Sequence, residues 1–386
     1  MRLKGLLLVV LVSLFTANAH SQRSRDYDTV VVPQTRIDAR DLGYPPIDVI
    51  PDGESGITSL TVAPNGYLYG ATSGSRAHLF VLIPRHGYVQ PLGVIPGATS
   101  VAHAVAVSLS GDVYIGTSPG GHILKYTPHN EDDQQIQIEK TLPTTDLGQP
   151  IPGESIFALT ISRNANAIYG LTAPNTHFFE YSIASGKFVD FGVVAKTVPE
   201  GEKFQKDKMM SRMLVVDLQG DVFASGENGS FFKFDPKTQK LEKLVIQAPA
   251  VPGREPWTEV DAFLLVPTGV IYGGTSDGYL FRLDPESLTV TNLGKPLNQY
   301  RIDGLVRGPS GRLYGVGGDK DEMARLFSYD PLTGAYDVLG FVDVNRRPYY
   351  TWQAYVIGAM ASDRNGTIYI GGDERISKLY LFYPWR

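Results

Sequence analysis

One short pattern recurs seven times along the chain, and it restricts the architectures open to it. Six copies pair a glycine turn with a short strand that ends in an aromatic residue: Gly66-Tyr67-Leu68-Tyr69, Gly111-Asp112-Val113-Tyr114, Gly220-Asp221-Val222-Phe223, Gly269-Val270-Ile271-Tyr272, Gly311-Arg312-Leu313-Tyr314 and Gly366-Thr367-Ile368-Tyr369. A degenerate copy, Asn166-Ala167-Ile168-Tyr169, supplies the remaining one. After each comes a Gly/Ser/Thr-rich turn and a second apolar strand, such as Leu79 to Leu82, Phe231 to Phe234 or Leu326 to Tyr329. Several of these strands stop at Asp-Pro, as in Asp235-Pro236, Asp284-Pro285 and Asp330-Pro331, because proline cannot donate the next ladder hydrogen bond.

An apolar segment precedes each glycine turn (Ala104 to Val107, Met213 to Val216), and a weaker strand follows the proline (Val290 to Leu293). Four antiparallel strands in roughly 40 to 55 residues make one blade of a β-propeller. The expected fold is therefore all-β: a seven-bladed β-propeller of four-stranded antiparallel blades, closed by an N-terminal strand. The last blade reaches only its third strand before Tyr383-Pro384-Trp385-Arg386, so its outer strand must come from upstream. Ile47-Asp48-Val49-Ile50-Pro51 stands before the first blade as Leu92-Gly93-Val94-Ile95-Pro96 stands before the second, and is expected to be that strand.

Arg2 and Lys4, the apolar Gly5 to Phe15 and the small-residue site Ala17-Asn18-Ala19 read as an export signal over residues 1–19. Residues 20–44 form an arm, with a short strand expected at Thr29 to Val32, and residues 45–386 form the propeller. A secreted or periplasmic location follows, with no membrane span. With no cysteine, Cys-ligated zinc, Cys nucleophiles and redox chemistry are excluded. A formal charge of −5 without basic blocks gives no footprint for nucleic acid. The expected partner is a polysaccharide or oligosaccharide, met by a monomer.

In a propeller the innermost strands begin at one face, beside the central channel. Eight residues before the glycine turns stand Thr58, His103, Arg212, Asp261, Asp303 and Gly358, with Phe157 in the third copy after one inserted residue. Strand residues two apart share a face, so Glu259 accompanies Asp261 and Arg301 accompanies Asp303. A ring of His103, Arg212, Glu259, Asp261, Arg301 and Asp303 is expected around one channel mouth. Such charges either pair across a water-filled channel or hold a ligand. Nearby aromatics favour a ligand: Trp257, Tyr300, Tyr349, Tyr350, Trp352 and Tyr355 lie in the segments leading into inner strands, where flat rings can stack on sugars. Histidines also recur at the start of the third strand: His78, His122 and His177. For His78 and His177 this reads as a hairpin-capping position. His122 shares its blade with His103 and is a candidate for the same pocket.

On His103, on His122 in Gly120-Gly121-His122-Ile123-Leu124 and on Arg212 in Ser211-Arg212-Met213-Leu214-Val215-Val216-Asp217, the chain resembles the seven-bladed propeller polysaccharide lyases, the ulvan lyases and their relatives. The catalytic tyrosine of that family has no single counterpart here, and a mixed Cys/His zinc cannot form. The resemblance implies β-elimination on a uronate-containing glycan. Arg212 would neutralise the uronate carboxylate, and His103 or His122 would serve as base or acid, with Tyr300 or Tyr355 as partner. Trp257, Glu259, Asp261, Tyr300, Arg301, Asp303, Trp352 and Tyr355 would line the substrate. No cofactor is expected on this reading. Two alternatives come from other classes. One is a non-catalytic propeller that binds a glycan or protein; the other is a calcium-dependent lactonase or hydrolase using Glu259, Asp261, Asp303 and His103.

Overall fold

The structure is a computed structural model that describes residues 30–31, 37–38, 50–51, 53–85, 89–129, 139–195, 211–226, 229–346 and 350–384. Residues 1–19, read from sequence as an export signal, and most of the arm lie outside the described residues, as do Ile47 to Val49 and Tyr349. No described helix is long and apolar enough to cross a membrane.

Seven blades of four antiparallel strands form a ring, with a short 3₁₀ turn at Glu255–Trp257. The first blade runs Gly56–Val62, Leu68–Ser73, His78–Leu82 and Val89–Val94 from the channel outward, and the others repeat this order. The second blade carries an additional small sheet of Ala98–Ser100 with Ser118–Pro119. The sixth is widened by the hairpin partner Tyr350–Gln353 and by Val30–Val31, which pairs in parallel with Val342 and Asp343.

The repeated glycine after the aromatic has a packing cause. Gly70, Gly170, Gly273 and Gly315 stand opposite Phe80, Phe179, Phe281 and Phe327 of the neighbouring strand. Each phenyl ring lies across the bare Cα, so that a Cβ at Gly70 would sit 2.2 Å from the Phe80 ring and one at Gly273 equally close to Phe281. Without a side chain on one strand, the ring of the other fills the sheet face and meets the next blade. Between the third and fourth blades Phe178 packs on Phe232 and Phe234, at ring separations of 5.5 and 5.1 Å.

Ring closure differs from expectation. The outer strand of the seventh blade is Ile37–Asp38, which pairs with Leu379 and Lys378, and not Ile47 to Pro51. The similarity to Leu92 to Pro96 has another origin. Ile95 follows the outer strand of the first blade and is buried, and Ile50 is buried in the same way. The Ile-Pro pair thus marks an anchoring apolar residue after the strand. In the closing segment residues 39–49 intervene between that strand and its anchor. The closing strand accordingly belongs to the segment read as an arm.

Candidate functional site

The sequence positions aligned by counting back from the glycine turns share one structural cause. The pairing register skips Thr58, Phe157, Asp261 and Gly358, each the extra residue of a β-bulge near the head of an inner strand. A bulge turns its extra residue off the ladder and re-aims the side chain. His103 reaches the equivalent place with a φ of +47°, in the left-handed region. Neighbouring blades hold that conformation from both sides: the His103 N–H donates to Thr58 O at 2.9 Å, and His103 O accepts from Leu159 N–H at 3.1 Å. The Arg212 N–H is likewise fixed on Val260 O.

The predicted ring assembles. Arg301 donates through Nη1 to Asp261 Oδ2 and through Nη2 to Glu259 Oε1, both at 2.9 Å. Arg212 Nε lies 3.4 Å from Asp261 Oδ1, beyond good hydrogen-bond geometry, and among the described residues that buried oxygen has no hydrogen-bond partner. Asp303 Oδ2 accepts from the Gly318 N–H at 3.2 Å. His103 and Asp303 line a cavity of about 370 Å³ that continues down the channel past Leu60, Val105, Leu159 and Met213.

These side chains titrate far from their ordinary ranges. Burial, and then the Asp261 charge, push Asp303 up to about 7 against the opposing pull of Arg212 and Arg301. The same two causes raise Glu259 to about 7. His103 is only half-buried to water because it borders the cavity, yet its enclosure, together with Arg212 and Arg301, holds it down to about 3. It is therefore a neutral imidazole at any ordinary pH, and a weak base. Proton exchange near neutrality belongs to the carboxyls.

A further member escaped the sequence reading. Asp373 follows the second strand of the seventh blade, Ile368–Gly372, and its carboxyl is raised by burial while Arg212 pulls it down. Its Cβ lies 3.0 Å from where a Cβ on Gly358 would be. The missing side chain at the strand head thus leaves room for an acid from the adjacent strand. The signal available in sequence was a glycine at the one head position followed by Gly371-Gly372-Asp373.

The structure does not bring His122 to this ring. The second blade orders its strands Val105–Val107, Val113–Gly116, Ile123–Tyr126 and Thr145–Asp146, so His122 precedes a strand two places outward from the channel. Its Nδ1 bonds outward to Asp146 at 2.8 Å. His177 pairs with Asp190 at 3.0 Å and His78 with Glu54 at 2.8 Å. In all three blades a threonine hydroxyl (Thr72, Thr117, Thr172) accepts from the histidine's own backbone N–H. The three histidines therefore share one hairpin position, which His122 does not leave.

The aromatics form a rim. Tyr300 is 60% exposed, Tyr355 36% exposed and Trp257 half-buried, on the segments that lead into the sixth, seventh and fifth blades. Lys295 Nζ lies 5.7 Å from the Tyr300 ring centre. Among the described residues neither tyrosine hydroxyl is hydrogen-bonded to the ring. Trp352 belongs to Tyr350–Gln353, and its side chain lies outside the described residues. Glu259 and Asp261 both turn an oxygen to Arg301, and among the described residues no group of three or more His, Asp or Glu is placed to hold a metal ion.

No family profile and no curated protein sequence matches the chain. Solved structures share its fold at low identity. A streptogramin B lyase superposes with a TM-score of 0.63 at 13% identity, over 85% of this chain and 94% of that one. A catalytically inactive virginiamycin B lyase from Staphylococcus aureus with quinupristin gives 0.60 at 11% identity, over 86% and 96%. The extracellular domain of a hybrid two-component system from B. thetaiotaomicron gives 0.57 at 15% identity, over 85% of this chain and 38% of that one. The class that fold and likeness define is the seven-bladed β-propeller, with distant neighbours that include a lyase and an extracellular sensor domain.

Proposed function

We propose that the chain is an exported polysaccharide lyase that cleaves a uronate-containing glycan by β-elimination at the channel mouth. The observation that carries this reading is the grouping at the channel mouth of Arg212, which among the described residues has no tight ion-pair partner, with two carboxyls raised to about 7, Glu259 and Asp303, the latter bordering the cavity.

β-Elimination needs a cation on the uronate carboxylate, because the proton on the adjacent carbon becomes acidic only when that charge is neutralised. Arg301 is committed to Glu259 and Asp261, so Arg212 takes this part. Glu259, which Arg301 favours in its ionised form, removes the proton as its carboxylate. A carbon–carbon double bond forms as the bond to the glycosidic oxygen breaks, and that oxygen receives the proton of Asp303, which borders the cavity. Both groups suit the work because catalytic pKa values near the operating pH serve proton transfer best. His103, neutral throughout, contributes hydrogen bonds and not the base. Trp257, Tyr300 and Tyr355 offer faces to the flanking sugars.

Incubation with a panel of uronate polysaccharides tests the reading. Unsaturated ends absorbing in the near ultraviolet are expected, and they should vanish in Arg212→Ala. No absorbance across the panel overturns the lyase. The exposed aromatic rim favours a second reading, a glycan-binding propeller without turnover, in which binding survives Arg212→Ala and is lost in Tyr300→Ala. Turnover that a chelator abolishes and calcium restores would instead support the calcium-dependent hydrolase.

A further inference from the structure

The charges at the channel mouth do not balance. Among the described residues the fifth blade contributes Glu259 and Asp261, the sixth Arg301 and Asp303, the seventh Asp373, the fourth Arg212 and the second His103. The first and third place Thr58 and Phe157 at the same level. Four carboxyls thus surround two guanidiniums. Asp261 meets both arginines, and among the described residues its buried Oδ1 accepts no hydrogen bond. An arriving uronate carboxylate would be a fifth acid in a poorly solvated pocket. Like charges at such range cannot all stay ionised, so one must take a proton.

We propose that the site binds the carboxylate of a uronic acid on Arg212 together with a proton from solvent, which one of the carboxyls beside Asp261 accepts. This rests on the lyase reading and deepens it by fixing the ligand as an anion whose affinity is coupled to proton uptake. The geometry identifies the acceptor. Glu259 is held by Arg301, which favours its ionised form, whereas Asp303 among the described residues accepts just the Gly318 N–H and borders the cavity. Asp303 is therefore the main acceptor. Its raised titration range agrees with this, because it is part-ionised at neutral pH and so has room for a proton. The arrangement also sets a direction of selectivity. A neutral sugar of the same shape gains nothing from acid, and a cationic amino sugar would displace protons.

The probe is sodium D-galacturonate, which has no glycosidic bond to break, so its binding is separate from turnover. Calorimetric titration of the full mature chain between pH 6 and 8, in buffers of different ionisation enthalpy, reads the protons bound. Proton uptake is expected to grow with pH, from little at pH 6 through about half a proton per ligand at pH 7 to nearly one at pH 8, with affinity rising by up to about tenfold per pH unit lowered on the alkaline side. Asp303→Asn should flatten that slope while still binding, and D-galactose should show no slope. A pH-independent affinity, proton release, equal binding of D-galactose, or no galacturonate binding at millimolar concentration each overturns the inference. Should the variant misfold, the slope of the unsubstituted protein decides alone. Unsaturated products from a polysaccharide without proton-linked galacturonate binding would sink this inference and leave the lyase standing. Proton-linked binding without products would do the reverse.

Discussion

Asp303→Asn gives the sharpest test of the channel electrostatics, because the substitution keeps the shape and the acceptor for Gly318 but cannot ionise. In the unfolded chain an aspartate titrates near 4, whereas in the folded ring Asp303 titrates at about 7. Between those values the folded state keeps a proton that the unfolded state releases. Stability changes with pH as 2.303RT times the protons bound unfolded minus those bound folded, which is negative here, so stability falls as pH rises from about 4 and levels off above about 7. A shift of roughly 3 units at about 1.4 kcal/mol each sets an upper bound of about 4 kcal/mol. Water in the channel and coupling to Asp261 reduce it, and about 2 to 4 kcal/mol is the range to look for. Urea unfolding at pH 4, 6 and 8, with refolding checked, should show the variant gaining that much on the parent between pH 4 and pH 8. Any cost of fitting the amide appears equally at all three and cancels. Parallel stability curves would refute the claim that burial beside Asp261 keeps Asp303 protonated.

Other expectations follow from the same geometry. His122→Ala should leave lyase turnover within about twofold of the parent and cost at most about 1 kcal/mol, since its bond to Asp146 is exposed; turnover lost with the fold intact would put His122 back in the chemistry. Arg301→Leu should destabilise the protein by about 3 to 5 kcal/mol in thermal or urea unfolding at pH 8, because Glu259 and Asp261 would be left buried without their cation; a change below 1 kcal/mol would contradict it. In Gly273→Ala the new Cβ collides with the Phe281 ring, and a loss of at least about 1 to 3 kcal/mol is expected by the same measurement.

Much of the fold was legible because the glycine turns recur at a fixed spacing from the bulges. Counting from Gly269 and Gly311 therefore locates Asp261 and Asp303 from sequence, and the two-residue periodicity of strands places Glu259 and Arg301 beside them. The count fails where a side chain arrives from another strand. Asp373 reaches the ring from the second strand of its blade, through the space left by Gly358, and a register argument confined to inner strands cannot see it. His122 misled for a related reason: sharing a blade with His103 says nothing about which strand a residue starts, and strand rank sets its distance from the channel. The closing strand misled because Ile50 and Ile95 are alike in burial while the length of chain before them differs.

That closing strand governs how the ring can form. Ile37–Asp38 is made long before its partner Lys378–Phe382. Every other blade completes itself from neighbouring sequence, but this one must join segments separated by the six other blades, a contact of high loop-closure cost that is gained late. Until Lys378–Phe382 has been made, the nascent chain carries an open crescent with unpaired strand edges, and the channel mouth with its mutually dependent charges does not yet exist.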